Sequence, residues 1–282
     1  MPTVTTLAPP LLVDATWLAE HLRHVRVIDT RRSSSYLDGH IPGACSLVLD
    51  TLLVEQTTQA ALDRLGRAAQ VALAARGISP EDHVVLIDDA DGSAALGALV
   101  CELAGLTRVS VLHGGVDQWR ASGRTLAPFP SLPEPVSIDA WQATSVTFDG
   151  LATIDQLAHA VADDRALVLD TRSQLEHEGI VGTPCCARRG SIPGSTHLEW
   201  TAFLDMSGMP HAAERVAELA AHLGADQTTS IVVTCHAGHR AAVAARVLRS
   251  AGYEDVRVSL GSWHEWAARA AASGPAAPQH DS

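Results

Sequence analysis

Ala166 to Arg172 reads ALVLDTR, and Val25 to Arg31 reads VRVIDTR. Each is a short aliphatic run of the kind that fits a strand buried on both faces, and each closes on the same Asp-Thr-Arg. Moving outward, each half next reaches Ile-Pro-Gly, as GHIPGA at Gly39 to Ala44 and GSIPGS at Gly190 to Ser195. HVVLID (His83 to Asp88) then matches SIVVTC (Ser230 to Cys235), each followed by an Ala-rich helical pattern ending at Ala104-Gly105 or Ala251-Gly252. VSVLHGGVDQW (Val109 to Trp119) matches VRVSLGSWHEW (Val256 to Trp266), and the step from Trp119 to Trp266 also carries Asp88 onto Cys235. The chain is a duplication.

Apolar strands alternating with helical patterns predict parallel βα units. The expected class is therefore α/β, with two small domains, each a parallel sheet flanked by helices on both faces. In the second half Val243, Val247, Leu248 and Ala251 recur at helical spacing, with Arg246 and Arg249 on the other side. The 282 residues suit two domains at roughly 150 each. The expected boundaries are 11–126 for the first and 147–270 for the second. Between them, 127–146 is read as a connection because APFPSLPEP (Ala127 to Pro135) cannot sustain a helix or a central strand. Residues 271–282, small and polar with two prolines, are expected to be a disordered tail.

Composition narrows the chemistry. Apolar residues make up 46% and charged residues 18%, which is globular rather than disordered. All 20 basic residues are arginine, so Schiff-base chemistry and a P-loop lysine are excluded. A net charge of −12 argues against a general nucleic-acid surface. No stretch approaches the roughly 18 apolar residues of a membrane span. Met1 to Pro10 lacks a basic segment, so no secretory signal is expected. Cys45, Cys101, Cys185, Cys186 and Cys235 are odd in number and lack framework spacing, which predicts free thiols and a cytoplasmic location.

The candidate site is TCHAGHRAAVAARVL (Thr234 to Leu248), where a strand ends, a loop runs from Cys235 to Arg240 and a helix follows. Strand ends of parallel sheets face the usual ligand crevice. Such a loop directs backbone N–H groups toward its centre, and Gly238 supplies a left-handed conformation without a Cβ penalty. The cradle favours an anion, here the thiolate of Cys235, assisted by Arg240 and any protonated His236 or His239. An isolated Cys at a strand end is by default a small buried hydrophobe, but Gly, two His and Arg in the next five residues suit an anion site better. The first-half loop, DDADGS from Asp88 to Ser93, has carboxylates and no thiol.

These motifs resemble the tandem-domain rhodaneses, or sulfurtransferases, over about Asp14 to Ala268. The resemblance implies an inactive first domain, with Asp88 at the cysteine position, and a second domain with Cys235 as catalytic nucleophile. Its thiolate takes the outer sulfur of thiosulfate or 3-mercaptopyruvate, forming a persulfide, and passes it to cyanide or a thiol acceptor. Neither a metal nor an organic cofactor is needed. The implied partners are the small-molecule donor and acceptor, with a protein sulfur acceptor as a further option and no nucleic acid or membrane. An alternative is a persulfide carrier fed by a protein donor, with little small-molecule turnover; a non-catalytic interaction module is the third reading. Rhodanese-like phosphatases place five residues between Cys and Arg, and only four lie between Cys235 and Arg240, so the smaller ring suits sulfur.

The resemblance is imperfect at the donor side. Ala237 stands where thiosulfate enzymes carry a basic residue and mercaptopyruvate enzymes often carry serine, and Glu176 stands where many members have arginine. The expected substrate-binding residues are Arg172, Arg189, His236, Ala237, Gly238, His239 and Arg240. Arg172 and Arg189 are the expected anchors, because arginine offers a bidentate fork to an oxyanion. Arg172 is read equally well as a structural ion pair with Asp170 or Glu176. Arg188 is read as solvated, His40 as structural, Trp263 and Trp266 as scaffold, and Asp29 and Asp170 as orienting nearby loops. Cys185-Cys186 is read as an insertion, with sulfur exchange or a disulfide with Cys235 as its special roles and with spacing poor for zinc.

Overall fold

A computed structural model describes residues 9–48, 56–163, 166–186 and 188–272. From residue 273 the expected tail lies outside the described residues. The first half runs β1 (Leu12–Val13), α1 (Ala15–His21), β2 (Arg26–Asp29), α2 (Ser33–Asp38), β3 (Cys45–Ser46), α3 (Gln59–Ala74), β4 (Val84–Ile87), α4 (Ser93–Leu103), β5 (Val109–Leu112) and α5 (Gly115–Ala121). The second repeats it with β6 (Leu151–Ala152), α6 (Ile154–Ala162), β7 (Ala166–Asp170), α7 (Gln174–His177), β8 (Thr196–His197), α8 (Ala213–His222), β9 (Ser230–Thr234), α9 (His239–Ser250), β10 (Val256–Ser259) and α10 (Ser262–Ala272).

Both sheets are parallel and five-stranded, in the orders β1-β5-β4-β2-β3 and β6-β10-β9-β7-β8. This is the expected α/β class, duplicated. Each central strand is apolar because helices cover both faces: Val84 to Ile87 and Ile231 to Val233 are all buried. The chain leaves β7 toward β8 and leaves β9 in the opposite direction toward β10, so a crevice opens between the carboxyl ends of β7 and β9. Those ends are Asp170 and Thr234, and Cys235 follows directly. Helix starts obey local chemistry: Thr153 and Gln156 form a capping box on α6, and the Thr58 side chain accepts the N–H of Ala61 at the start of α3.

The halves share an apolar contact rather than a thin tether. Leu96, Leu99 and Leu103 of α4 join one buried cluster with Ala241, Ala245 and Leu248 of α9. Beside it Glu102 accepts hydrogen bonds from Arg246 and from Arg249. A second tie is polar: Thr57 donates its N–H at 2.8 Å and its hydroxyl at 2.6 Å to Glu265, and its oxygen accepts from Ile154 N–H at 2.9 Å. The proline-rich connection is anchored as well. Trp141 is buried in the first-half core and donates its indole N–H to Ile78 O at 3.2 Å. Among the described residues no helix is long and apolar enough to cross a membrane.

Candidate functional site

Cys235 directly follows the central strand β9 and begins the turn into α9. Gly238 takes φ +90° and donates its N–H to Cys235 Sγ at 3.1 Å, so the loop does direct an amide at the sulfur. A Cβ at Gly238 would also approach Leu96 Cδ1 of the first half to 3.2 Å. The loop is pinned from α10: Trp263 N–H donates to Cys235 O and His264 N–H to His236 O, each at 3.1 Å. Ser262 Oγ accepts the Cys235 N–H at 3.1 Å. The residue is only 1% exposed, so the thiol lies beneath its loop rather than at the rim.

Arg240 is committed to a neighbour. Its two terminal nitrogens donate to the two Glu176 oxygens at 2.6 and 2.9 Å, a bidentate pair. The Arg240 guanidinium, with burial working against it, holds the Glu176 carboxyl down to about 2. Burial opposes the charge on Arg240 in turn, but Glu176 and Cys235 hold its pKa above the ordinary value. The Arg240 charge beside the thiol is therefore paired with the carboxylate that stands where the resemblance leads one to expect arginine. His236 adds no fixed positive charge. Burial, and then the nearby His264 and Arg240, push its pKa down, which favours the neutral ring.

Arg172, expected as a donor anchor, is buried and turned into the fold. Its Nε donates to Asp170 Oδ1 at 3.1 Å, and its Nη2 donates to Asp170 Oδ2 at 2.6 Å and to Gly190 O at 2.8 Å. The guanidinium carbon sits 4.7 Å from the centroid of the Trp263 ring. Burial works against the Asp170 carboxylate, but Arg172 and His177 hold its pKa below the ordinary value. Arg31 repeats the same bonds to Asp29 and Gly39 O, both at 2.8 Å, in a half that has no thiol loop. The shared arrangement ties the Ile-Pro-Gly turn to the strand end, so the ion-pair alternative describes Arg172 and its fork is taken.

The remaining expected residues divide. Ala237 is half-buried and offers no polar group, and His239 opens α9 with its carbonyl close to Gly92 of the first half. Arg189 is exposed and donates to Ile180 O at 3.5 Å; among the described residues no hydrogen bond or ion pair joins it to the Cys235 loop. His40 is buried against Tyr36 and contacts Tyr36 O at 3.0 Å, a structural placement. Ser262 was missed from sequence. Its signal lay in the repeat, where LGSW at Leu260 to Trp263 faces HGGV at His113 to Val116 and a serine takes a glycine's place.

A thiol under a loop amide at the crevice of a duplicated parallel α/β fold defines the class, and sequence comparison agrees: the rhodanese-like domain model matches residues 14–122 and 153–269. The chain belongs to the rhodanese-like family and is a sulfurtransferase by class. It is 28% identical to the 3-mercaptopyruvate sulfurtransferase of Escherichia coli over 92% of this chain and 95% of that one. It is 29% identical to the thiosulfate sulfurtransferase of Bos taurus over 92% of each chain. The solved structure of SseA from Escherichia coli, a 3-mercaptopyruvate sulfotransferase, superimposes with a TM-score of 0.73 at 22% identity, covering 90% of this chain and 99% of that one.

Proposed function

We propose that this chain transfers sulfane sulfur through a persulfide on Cys235, with thiosulfate or 3-mercaptopyruvate as donor and cyanide or a thiol as acceptor. The observation that carries the reading is the Gly238 N–H held 3.1 Å from Cys235 Sγ at the sheet's crevice. An amide dipole fixed there favours negative charge on sulfur before any donor arrives. The thiolate attacks the outer sulfur of thiosulfate, the donor's S–S bond breaks, and sulfite departs with the electron pair. With 3-mercaptopyruvate the C–S bond breaks instead and pyruvate leaves as its enolate, taking a proton. Cyanide then attacks the terminal sulfur, releasing thiocyanate and restoring the thiolate. Backbone N–H groups of the loop, Arg189 and the accessible edges of His236, His239 and Arg240 are the proposed donor contacts. A reducing compartment such as the cytoplasm suits the chemistry.

A second reading, a persulfide carrier loaded by a protein donor, is favoured by one observation. Arg172 and Arg240 are already paired with Asp170 and Glu176, which weakens the pull on a small anion. Intact mass measured after incubation with thiosulfate or 3-mercaptopyruvate separates the readings. A gain of one sulfur atom, removed by cyanide and absent from Cys235→Ser, is the expected result. Loading by a protein persulfide alone would select the carrier, and no loading from any donor would sink both.

A further inference from the structure

Beside the Cys235 loop four soft ligands converge from three separate elements. Cys185 and Cys186 come from the segment between α7 and β8, His236 from the Cys235 loop and His264 from the start of α10. Cys185, Cys186 and His264 have no task in the proposed transfer.

Their ligand atoms all lie within 4.8 Å of one another. Cys185 Sγ is 3.3 Å from His236 Nε2, Cys186 Sγ is 3.8 Å from His264 Nδ1, and the two sulfurs are 3.9 Å apart. A tetrahedral zinc ion with bonds of about 2.3 Å to sulfur and about 2.0 Å to nitrogen spaces its ligands by roughly 3.3–3.8 Å. Three of the six edges, at 3.3, 3.8 and 3.9 Å, fall within a few tenths of an ångström of that figure, and the other three are no longer than 4.8 Å, so side-chain shifts of up to about an ångström close the four ligands on an ion.

The surroundings support the ligands. Thr183 Oγ1 contacts His236 Nδ1 at 3.4 Å, which leaves Nε2 aimed at Cys185, the outer-shell arrangement that orients a histidine ligand. The backbone bond from His264 N–H to His236 O, at 3.1 Å, fixes the two imidazole-bearing residues relative to each other. Cys185 is exposed and the other three are half-buried, so an ion has an entry path and partial shielding. Two thiols and two imidazoles suit a soft or borderline cation and not magnesium or calcium.

We propose that Cys185, Cys186, His236 and His264 form a binding site for a thiophilic d10 cation, with zinc as the ion to test. On binding, two Zn–S and two Zn–N bonds form, two S–H bonds break, and the two protons leave to solvent; nothing is oxidised or reduced. The product has zero net charge at the metal, two thiolates balancing the dication.

The test uses the full-length, metal-free, fully reduced chain titrated with zinc against a chromophoric chelator, with cobalt as a spectroscopic substitute. One zinc per chain is expected, and cobalt should give a thiolate charge-transfer band with the strong visible bands of a tetrahedral site. Cys185→Ser and His264→Ala should each weaken zinc by more than the about 10–100-fold that loss of an outer-shell partner costs. Zinc should protect Cys185 and Cys186 from alkylation. Cys235→Ser abolishes sulfur loading but should bind zinc as the wild type does, so the metal site and the transfer reading fail separately. No zinc uptake by the wild type, an octahedral cobalt spectrum without a thiolate band, loss of zinc in Cys235→Ser, or wild-type affinity in the Cys185→Ser/Cys186→Ser double variant would each overturn the assignment.

Discussion

Asp88 and Cys235 hold the same place in the two halves, each directly after its central strand and each beneath the backbone amides of the loop that follows. Asp88 accepts N–H groups from Ala90 at 2.9 Å, Gly92 at 3.2 Å and Ala94 at 3.0 Å. The first half thus retains an anion cradle and fills it with its own carboxylate. The duplicated fold supplies the cradle twice, with a carboxylate at its floor in one half and a thiol in the other.

Burial pushes the Asp88 carboxyl up to about 6 from an ordinary 3.8, the three amides only partly opposing the shift. The folded-state value lies above the unfolded one, so the native chain keeps this proton longer. The resulting stability is fully present below about pH 4 and is lost as pH rises through about 6, on the order of 3 kcal/mol. Carbon-13 NMR of the Asp88 carboxyl should show a midpoint near pH 6. A midpoint at or below pH 4 would contradict the burial argument.

Glu176 carries the opposite sign. Its folded pKa, about 2, lies below the unfolded 4.5, so its contribution is present above pH 4.5 and is lost as pH falls toward 2. Glu176→Gln should cost about 1.5–3 kcal/mol, the range of a hydrogen bond to a charged group, and should leave Arg240 uncompensated beside Cys235. We expect iodoacetamide to alkylate Cys235 several-fold faster near neutral pH in that variant, with a lower KM for thiosulfate. Unchanged alkylation would mean that the Arg240 charge does not reach the sulfur.

Much of this was legible in the sequence, for identifiable reasons. Strands buried on both faces have to be apolar, so VRVIDTR and ALVLDTR revealed the duplication, and a loop between strand and helix had to place Cys235 at the crevice. The fate of Arg172 was not legible from its own half, because a strand-end arginine can turn inward or outward. The repeat held the clue, since Asp29-Thr30-Arg31 preserves the pattern where there is no thiol. The connection was read as a linker from its prolines, which says nothing about Trp141 anchoring it to the first-half core. The Cys185, Cys186, His236 and His264 cluster escaped because spacing rules describe ligands close in sequence, while here residues 51 and 78 positions apart meet only after folding.

Gly238 joins both halves to the sulfur. Its φ of +90° is strained for any other residue, and a Cβ would crowd Leu96 of α4. Gly238→Ala should lose about 1–3 kcal/mol of stability and should slow persulfide formation by at least about 10-fold, because the N–H that faces Sγ moves away. Intact mass at timed intervals with thiosulfate measures the second effect. A folded variant loading at the wild-type rate would show that the amide is not needed.

Ser262 tests the opposite bargain, in which a left-handed residue keeps its side chain. It sits at φ +46°, where the repeat has Gly115 at φ +60°. What serine adds is a hydroxyl that accepts the Cys235 N–H at 3.1 Å and donates to Ser259 O at 2.5 Å, in a fully buried position. Removing the oxygen leaves a buried N–H without a partner, a cost of about 1–3 kcal/mol. Ser262→Ala pays that cost and keeps the backbone strain, whereas Ser262→Gly loses the same bonds but regains about 1 kcal/mol from the left-handed conformation. Urea denaturation should therefore rank wild type first, Ser262→Gly second and Ser262→Ala last. An alanine variant more stable than the glycine variant would show that strain at this turn is negligible and that the hydroxyl alone explains the serine.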